Sequence, residues 1–318
     1  MESLDRNLAL EFVRVTEAAA IEASKWAGKG DSNSADQAAV TAFRDRINTI
    51  DIDGTIVIGE GERDEAPMLF IGEKVGNRNG PKVDIAVDPL EGTDVTARGG
   101  ENALAVMAAA PEGSLLHAPD TYMEKIAVGP AVGSKISLEN SVEDNLRIVA
   151  EFNEKKVEEL TVVILDRERH KKLIGEVRAT GARIKLIGDG DVSGAIATSM
   201  PGAGVDVLLG SGGAPEGVLA AVALKCLGGY IEGKLAFRNE EERKRAKNYG
   251  MKNPDKVLKL EDLVKGDRAV FVATGVTNGT MLKGVDFGSR GTISTHSVVM
   301  RTKTGTIRYI EAIHRHPL

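Results

Sequence analysis

Apolar positions from Leu8 to Ala27 recur at helical spacing, at Leu8, Phe12, Val15, Ala19 and then Ile21–Ala23, and predict a long amphipathic helix. Gly28, Gly30 and the polar stretch Asp31–Ser34 end it. A second helix is predicted over Ala35–Asn48, with Ala38, Val40, Phe43 and Ile47 as its apolar face and Ser34 as N-cap. Thr55–Ile58 and Val83–Val87 are β-branched runs that read as strands. Ala103–Ala109 is apolar throughout and fits strand or helix. Tyr122–Val149 reads as a strand-rich connection, punctuated by Gly129-Pro130 and Gly133.

From Leu160 the texture changes. Strand patterns at Thr161–Leu165, Arg183–Ile187 and Val205–Leu209 alternate with helix patterns at His170–Thr180, Val192–Ser199 and Pro215–Leu227. That rhythm predicts a second, mostly parallel α/β layer. Arg238–Lys247, dense in both charges, reads as a solvated helix or loop. Ala269–Ala273 is a late strand, and Ser297–Arg301 with Gly305–Ile310 reads as a hairpin. The expected fold class is α/β, a mixed sheet plus this second layer, divided by texture into residues 1–155 and 156–318.

Composition narrows the classes. At 318 residues the chain has room for about two domains and a core that needs no disulfide or metal. The formal net charge of −6 disfavours nucleic acid and anionic membranes as partners. A lone cysteine, Cys226, excludes an internal disulfide and a cysteine-based zinc site, and its apolar neighbours place it in the core. Glu2, Asp5 and Arg6 do not read as a signal peptide, and no apolar run outlasts Ala103–Ala110, so a cytoplasmic setting with no membrane partner is expected.

The candidate chemistry lies where strands end. Ile56–Ile58 leads to Glu60, Ile85–Val87 to Asp88 and Glu91, Leu186–Ile187 to Asp189 and Asp191, and Leu208–Leu209 to Glu216. Ligands of open α/β sheets sit beyond the carboxyl ends of strands, so these acids are expected at one rim. Clustered carboxylates repel unless cations neutralise them, and all-oxygen donors suit hard ions such as Mg²⁺ or Mn²⁺. Asp189 and Asp191 read either as helix caps or as part of that cluster.

Asp88-Pro89-Leu90-Glu91-Gly92-Thr93 is the most specific string. Proline pre-orients the turn, Glu91 can share a metal face with Asp88, and Gly92 and Thr93 offer amides to an anion. Gly210-Ser211-Gly212-Gly213-Ala214-Pro215-Glu216 reads as a glycine-rich loop before a helix, suited to a phosphate or sugar oxygen, and it departs from the dinucleotide pattern at Pro215. Arg167, Arg169, His170, Lys171 and Lys172 read either as a second phosphate contact or as a solvated helix face. His117, His296, His314 and His316 show no metal spacing.

The string at Asp88 resembles the signature of the lithium-sensitive, metal-dependent sugar and inositol phosphatases. Asn33-Ser34-Ala35-Asp36, Gly59-Glu60-Gly61-Glu62, Glu65-Ala66-Pro67-Met68, Tyr122-Met123-Glu124-Lys125, Asp189-Gly190-Asp191 and Gly212-Gly213-Ala214-Pro215-Glu216 accompany it in order. Together they resemble the class II fructose-1,6-bisphosphatases of bacterial type, over about Leu8–His314. The resemblance implies a layered α-β-α-β-α fold and two divalent ions, Mn²⁺ or Mg²⁺, on Asp36, Glu60, Asp88, Glu91 and Glu216. It implies sugar and phosphate contacts at Glu91, Gly92, Thr93, Tyr122, Arg167, Glu168, Arg169, Asp189, Gly190, Asp191 and Gly213. Catalytic roles fall on Asp64, Thr93 and Glu216. One departure is Ser32, where relatives often carry lysine; Lys29 nearby is left out of the catalytic set.

The implied activity is release of the 1-phosphate of fructose 1,6-bisphosphate, as in gluconeogenesis, with Arg167, Arg169 and Tyr122 on the distal phosphate. Alternatives are a dual enzyme that also takes sedoheptulose 1,7-bisphosphate, an inositol monophosphatase, and a sugar-phosphate sensor without chemistry. Enzymes of this kind self-associate, so a homodimer or homotetramer is expected.

Overall fold

The computed structural model describes residues 8–61 and 68–315. The chain divides into two compact units, residues 1–115 with 266–318, and residues 116–265. The division expected at 155/156 falls instead inside the second unit.

The first unit opens with α1 (Leu8–Ser24), α2 (Ser32–Ile47) and β1 (Asp53–Ile58), then β2 (Lys74–Val75), β3 (Lys82–Glu91), α3 (Thr93–Arg98) and β4 (Leu104–Pro111). In the second unit follow β5 (Tyr122–Val128), α4 (Val142–Phe152), β6 (Thr161–Leu165), α5 (Lys171–Ala179), β7 (Arg183–Ile187) and α6 (Asp191–Ala197). It continues through β8 (Val207–Gly213), α7 (Ala214–Leu227), β9 (Tyr230–Ala236), α8 (Glu240–Asn248), β10 (Leu258–Lys259) and α9 (Leu260–Leu263). The chain then returns to the first unit as β11 (Val270–Gly275), β12 (Asp286–Phe287), β13 (Ile293–Arg301) and β14 (Thr306–His314). Among the described residues, no helix is long and apolar enough to cross a membrane.

The first unit holds a sheet of order β12-β13-β11-β4-β3-β1-β2, with β14 on β13. Among the described residues, only β1 and β3 pair in parallel there. Phe12, Val15 and Ala19 of α1 and Phe43 and Ile47 of α2 share one core with Ile56, Ile85, Met107 and Val272. Ala86, Val106, Phe271 and Val298, alternating with those strand positions, are buried too. Burial on both faces explains why these strands read as unbroken apolar runs.

The undecided segment at Ala103–Ala109 is therefore β4, claimed by pairing on both edges. The cap of α2 is Asp31 rather than Ser34. Its carboxylate accepts from the Ser34 backbone N–H at 3.0 Å and from the Ser34 hydroxyl at 2.6 Å.

The second sheet has the order β10-β9-β5-β8-β6-β7. Only β8-β6 and β6-β7 are parallel, so the sheet is mixed rather than mostly parallel. The alternation read from Leu160 is real, but β5 and β9 insert beside β8 from distant sequence. Leu146 and Val149 of α4 and Ile174 and Val177 of α5 share a core with Ile126, Val162 and Leu209. α6 and α7 pack on the sheet through Gly194 and Gly217, where an added Cβ would press on Leu208 and Met123. The helix α4 lies where a strand-rich connection was expected. Ser141 caps it by accepting from Asp144 N–H at 3.0 Å, and Leu146, Val149 and Ala150 form its buried stripe. Two mixed sheets with their helices are compatible with a layered α/β phosphatase fold.

Candidate active site

In the first unit the acids sit on adjoining strand ends. β3 does not stop at Asp88. It continues to Glu91 through a bulge, with Asp88 opposite Val106 and Glu91 opposite Leu104. Three residues on β3 thus span two on β4. Pro89, which has no N–H for the ladder, fits at such an irregularity. Asp88 Oδ1 accepts from the Leu90 N–H at 3.1 Å, and Glu91 is buried. The chain leaves the strand through Gly92 at φ +91°, the N-cap of α3, and the left-handed backbone explains the glycine. Thr93 follows as the first residue of α3.

Glu60 follows β1, its N–H on the Leu69 carbonyl at 3.0 Å. A Cβ on Gly59 would lie 2.0 Å from that same carbonyl oxygen, so only glycine permits the approach. Asp36 stands half-buried on α2, and burial raises its carboxyl above the ordinary aspartate range. The loop before α2 is tied to α3, with Gly28 and Gly30 donating to the Thr96 and Ala97 carbonyls at 2.9 and 2.8 Å. Lys29 lies over the Trp26 ring, 5.1 Å from its centroid. Asp64, with Glu62 and Glu65–Pro67, lies outside the described residues.

The second unit builds its group around the end of β8. The glycine-rich segment is strand rather than loop: Gly210 to Gly213 pair with Lys125 to Tyr122 of β5. The glycines clear space for side chains from other elements. An added Cβ on Gly212 would lie 2.0 Å from Asp191 Oδ2, and one on Gly213 would lie 2.0 Å from Glu216 Oε2. Gly210, at φ +144°, faces the His170 ring. Lys125, 2% exposed, donates to Asp191 Oδ2 at 2.5 Å and to the Gly213 carbonyl at 2.7 Å.

Glu216 heads α7, just after Pro215 at the helix start. Its Oε2 is buried without a hydrogen-bond partner. Burial, and next the neighbouring Asp191 carboxylate, push its pKa up to about 7 against the opposing pull of Lys125. Gly190, not an aspartate, is the N-cap of α6. Asp191 is committed to Lys125, and Asp189 Oδ1 accepts from the Gly190 N–H at 3.0 Å.

The basic cluster divides. His170 is buried with both ring nitrogens used: Nε2 accepts from Ser211 N–H at 2.8 Å, leaving Nδ1 to donate to the Leu165 carbonyl at 2.7 Å. It ties β6 to β8 and is not a phosphate contact. Lys171 pairs with Glu168 at 2.6 Å and Lys172 with Glu176 at 3.5 Å, both solvated. Arg167 is exposed. Arg169 donates Nε and Nη2 to the Ser211 carbonyl at 3.1 and 2.7 Å, with its guanidinium 4.9 Å from the Tyr122 ring centroid. Arg238 lies 5.8 Å from the same centroid and is paired with Glu242.

Sequence reasoning missed Lys125 and Arg238. Lys125 is the one cation of the strand β5, and that is its signal. Arg238 was absorbed into a charged run and carried none.

Among the described residues, no three His, Cys, Asp or Glu side chains converge on one point. The donor chemistry nevertheless fits a hard cation. Asp36 and Glu216 are carboxylates that burial holds toward their neutral forms, and the orphaned Oε2 of Glu216 is a buried acceptor that a cation would satisfy. A cavity of about 800 Å³ between α1, α2 and Ile293 is lined by none of Asp36, Glu60, Asp88 and Glu91, so it is separate from these acids.

The family profile described as bacterial fructose-1,6-bisphosphatase, glpX-encoded, matches residues 6–314. The chain belongs to this family. It is 44% identical over 335 aligned residues to the D-fructose 1,6-bisphosphatase class 2/sedoheptulose 1,7-bisphosphatase of Synechococcus sp. (strain JA-3-3Ab), covering 98% of this chain and 96% of that one. The protein of the same name from Synechocystis sp. is also 44% identical, over 98% of this chain and 97% of its own. As a bacterial fructose-bisphosphatase of this family, the chain is an enzyme of sugar-phosphate metabolism, and the family is metal-dependent.

Proposed function

We propose that the chain hydrolyses the 1-phosphate of fructose 1,6-bisphosphate to give fructose 6-phosphate and phosphate, using two divalent ions, Mn²⁺ or Mg²⁺. One observation carries the reading: the family match spans nearly the whole chain, and Asp36, Glu60, Asp88, Glu91 and Glu216 all fall among the residues it covers. These five carboxylates are the proposed ligands. Bound there, the ions supply Lewis acidity toward phosphoryl oxygens and make water a nucleophile at neutral pH.

The chain's own residues have the remaining tasks. Gly92 and Thr93 present amides where phosphoryl charge develops, and the Thr93 hydroxyl and Asp64 orient the attacking water. Glu91 and Gly213, with Asp189, Gly190 and Asp191, contact sugar and phosphate oxygens. Arg167, Glu168 and Arg169, with Tyr122, take the distal phosphate. Arg169, already stacked over Tyr122, supports that assignment.

The relatives' shared name gives the second reading, a dual enzyme that also hydrolyses sedoheptulose 1,7-bisphosphate. Purified protein is assayed with both bisphosphates and a monophosphate, with Mn²⁺, Mg²⁺ or a chelator. Phosphate release from the fructose bisphosphate that chelation abolishes is expected. Asp88→Asn and Glu216→Gln are expected to lose it by at least a hundredfold while staying folded. Unchanged turnover in either variant would reject the ligand assignment. A homodimer or homotetramer in the cytoplasm completes the proposal.

A further inference from the structure

The strand β14 carries a long sheet edge with no bulge, proline or lysine, its charged side chains being Arg308 and Glu311. It pairs with β13 in an uninterrupted register from Ile293 opposite His314 to Arg301 opposite Thr306, without a bulge. Its sequence, Thr-Ile-Arg-Tyr-Ile-Glu-Ala-Ile-His, has no proline and no lysine. Three alternating side chains are large, apolar and outward: Ile307 is 42% exposed, Tyr309 49% and Ile313 69%. Among the described residues no backbone group meets its outer edge. Edges of this kind are templates for another strand, and proteins that avoid pairing shorten, charge or bend them. The other edges of this molecule do so. β2, β10 and β12 are two residues long, and β7 is five residues with Arg183 and Lys185.

We propose that β14 is an interface between two copies of this chain, paired antiparallel about a two-fold axis at Ile310. A two-fold perpendicular to the sheet keeps outward faces together, so outward positions must meet outward positions. Centred on Ile310, Ile307 meets Ile313 of the second copy, and Tyr309 meets its Glu311. Every exposed apolar residue then has a partner and no like charges face. Centring on Glu311 would set two carboxylates directly opposite, which is unfavourable. Centring on Tyr309 would set Ile307 against Glu311 and leave Ile313 beyond the partner strand. The occupant is thus a second copy because the strand is complementary to itself. The inference names the surface behind the self-association proposed above, and it does not depend on the catalytic reading.

The full chain at micromolar concentration is examined by sedimentation velocity, beside Tyr309→Lys/Ile313→Lys. The wild-type chain is expected to sediment as a dimer or a higher even assembly, and the variant at half that mass or less with an unchanged circular dichroism spectrum. A monomeric wild-type chain, or a variant that keeps the full mass, would overturn the proposal. The register is read by cysteines. Ile307→Cys/Ile313→Cys is expected to form a disulfide-linked dimer under mild oxidation, because the two positions oppose each other across the axis. Each single variant is expected to stay unlinked, since equivalent positions then lie about 20 Å apart, six residues along a strand. Equal linking in the singles, or none in the double, would overturn the register. Phosphate release is measured separately, so loss of activity and loss of association remain distinguishable.

Discussion

Lys125 Nζ lies 2.5 Å from Asp191 Oδ2, with both residues buried and 66 positions apart in sequence. The pair fastens the start of α6 to the centre of the second sheet, and the same ammonium holds the Gly213 carbonyl beside Glu216. Removing one partner strands a buried charge, whereas removing both does not. Lys125→Met is therefore expected to cost about 3–5 kcal/mol in chemical denaturation. In a double-mutant cycle with Asp191→Leu, the pair should cost well below the sum of the singles. Additive losses would show that the two charges are not coupled.

Gly213 has ordinary strand angles, φ −66° and ψ 147°, which alanine adopts freely. Its methyl group would nonetheless occupy the place of Glu216 Oε2. Because the overlap falls on the far end of the Glu216 side chain, Gly213→Ala is expected to fold with that carboxylate displaced. It should then lose most of the rise in melting temperature that Mn²⁺ gives the parent. An undiminished Mn²⁺ shift would remove Glu216 from the ligand set.

Arg169 bridges the Ser211 carbonyl and the Tyr122 ring, so it is held in place before any substrate arrives. A charged hydrogen bond to phosphate contributes about 1.5–3 kcal/mol, so Arg169→Ala should raise KM for the bisphosphate roughly tenfold or more. The smaller change is expected in kcat, since the distal phosphate is bound alike in ground and transition states. Steady-state kinetics separates the two. A loss confined to kcat would contradict the assignment.

Glu17 is buried beneath the first sheet, its Oε1 accepting from the Thr295 hydroxyl at 3.0 Å and standing 3.9 Å from His314 Nε2. Burial raises its pKa above the ordinary glutamate value, against the lowering effect of Thr295 and His314. A carboxyl raised in the folded state favours folding while protonated, and that contribution fades as pH climbs from the unfolded value of about 4.3 through the raised one. Glu17→Gln keeps an acceptor for Thr295 and lacks the titration. Its stability relative to the parent should rise between about pH 4 and pH 7. Denaturation midpoints of both proteins across that range check this, and a constant difference would count against it.

Much of the candidate site was legible in the chain order because strand ends advertise themselves. An apolar run that stops at glycine and carboxylate can be read locally, and Glu60, Asp88, Glu91 and Glu216 became candidates that way. The ends of these elements were harder. Pro89 looked like a stop, yet β3 runs on to Glu91 because β4 accommodates the extra residue at a bulge. Four residues rich in glycine looked like a loop, yet β5 recruits them into a sheet.

By itself the sequence determined the type of the strongly periodic segments, such as α1, α2, β1, β6 and α7, which acids follow their ends, and which family the ordered strings resemble. Periodicity and adjacency are local, so they survive without coordinates. Only the tertiary structure decided that His170 is a buried strut, that Lys125 neutralises Asp191, that Arg238 reaches Tyr122, and that β14 leaves an open edge. Each of these depends on groups brought together from positions far apart, and burial, which sets their charge and their partners, is a property of the packed chain.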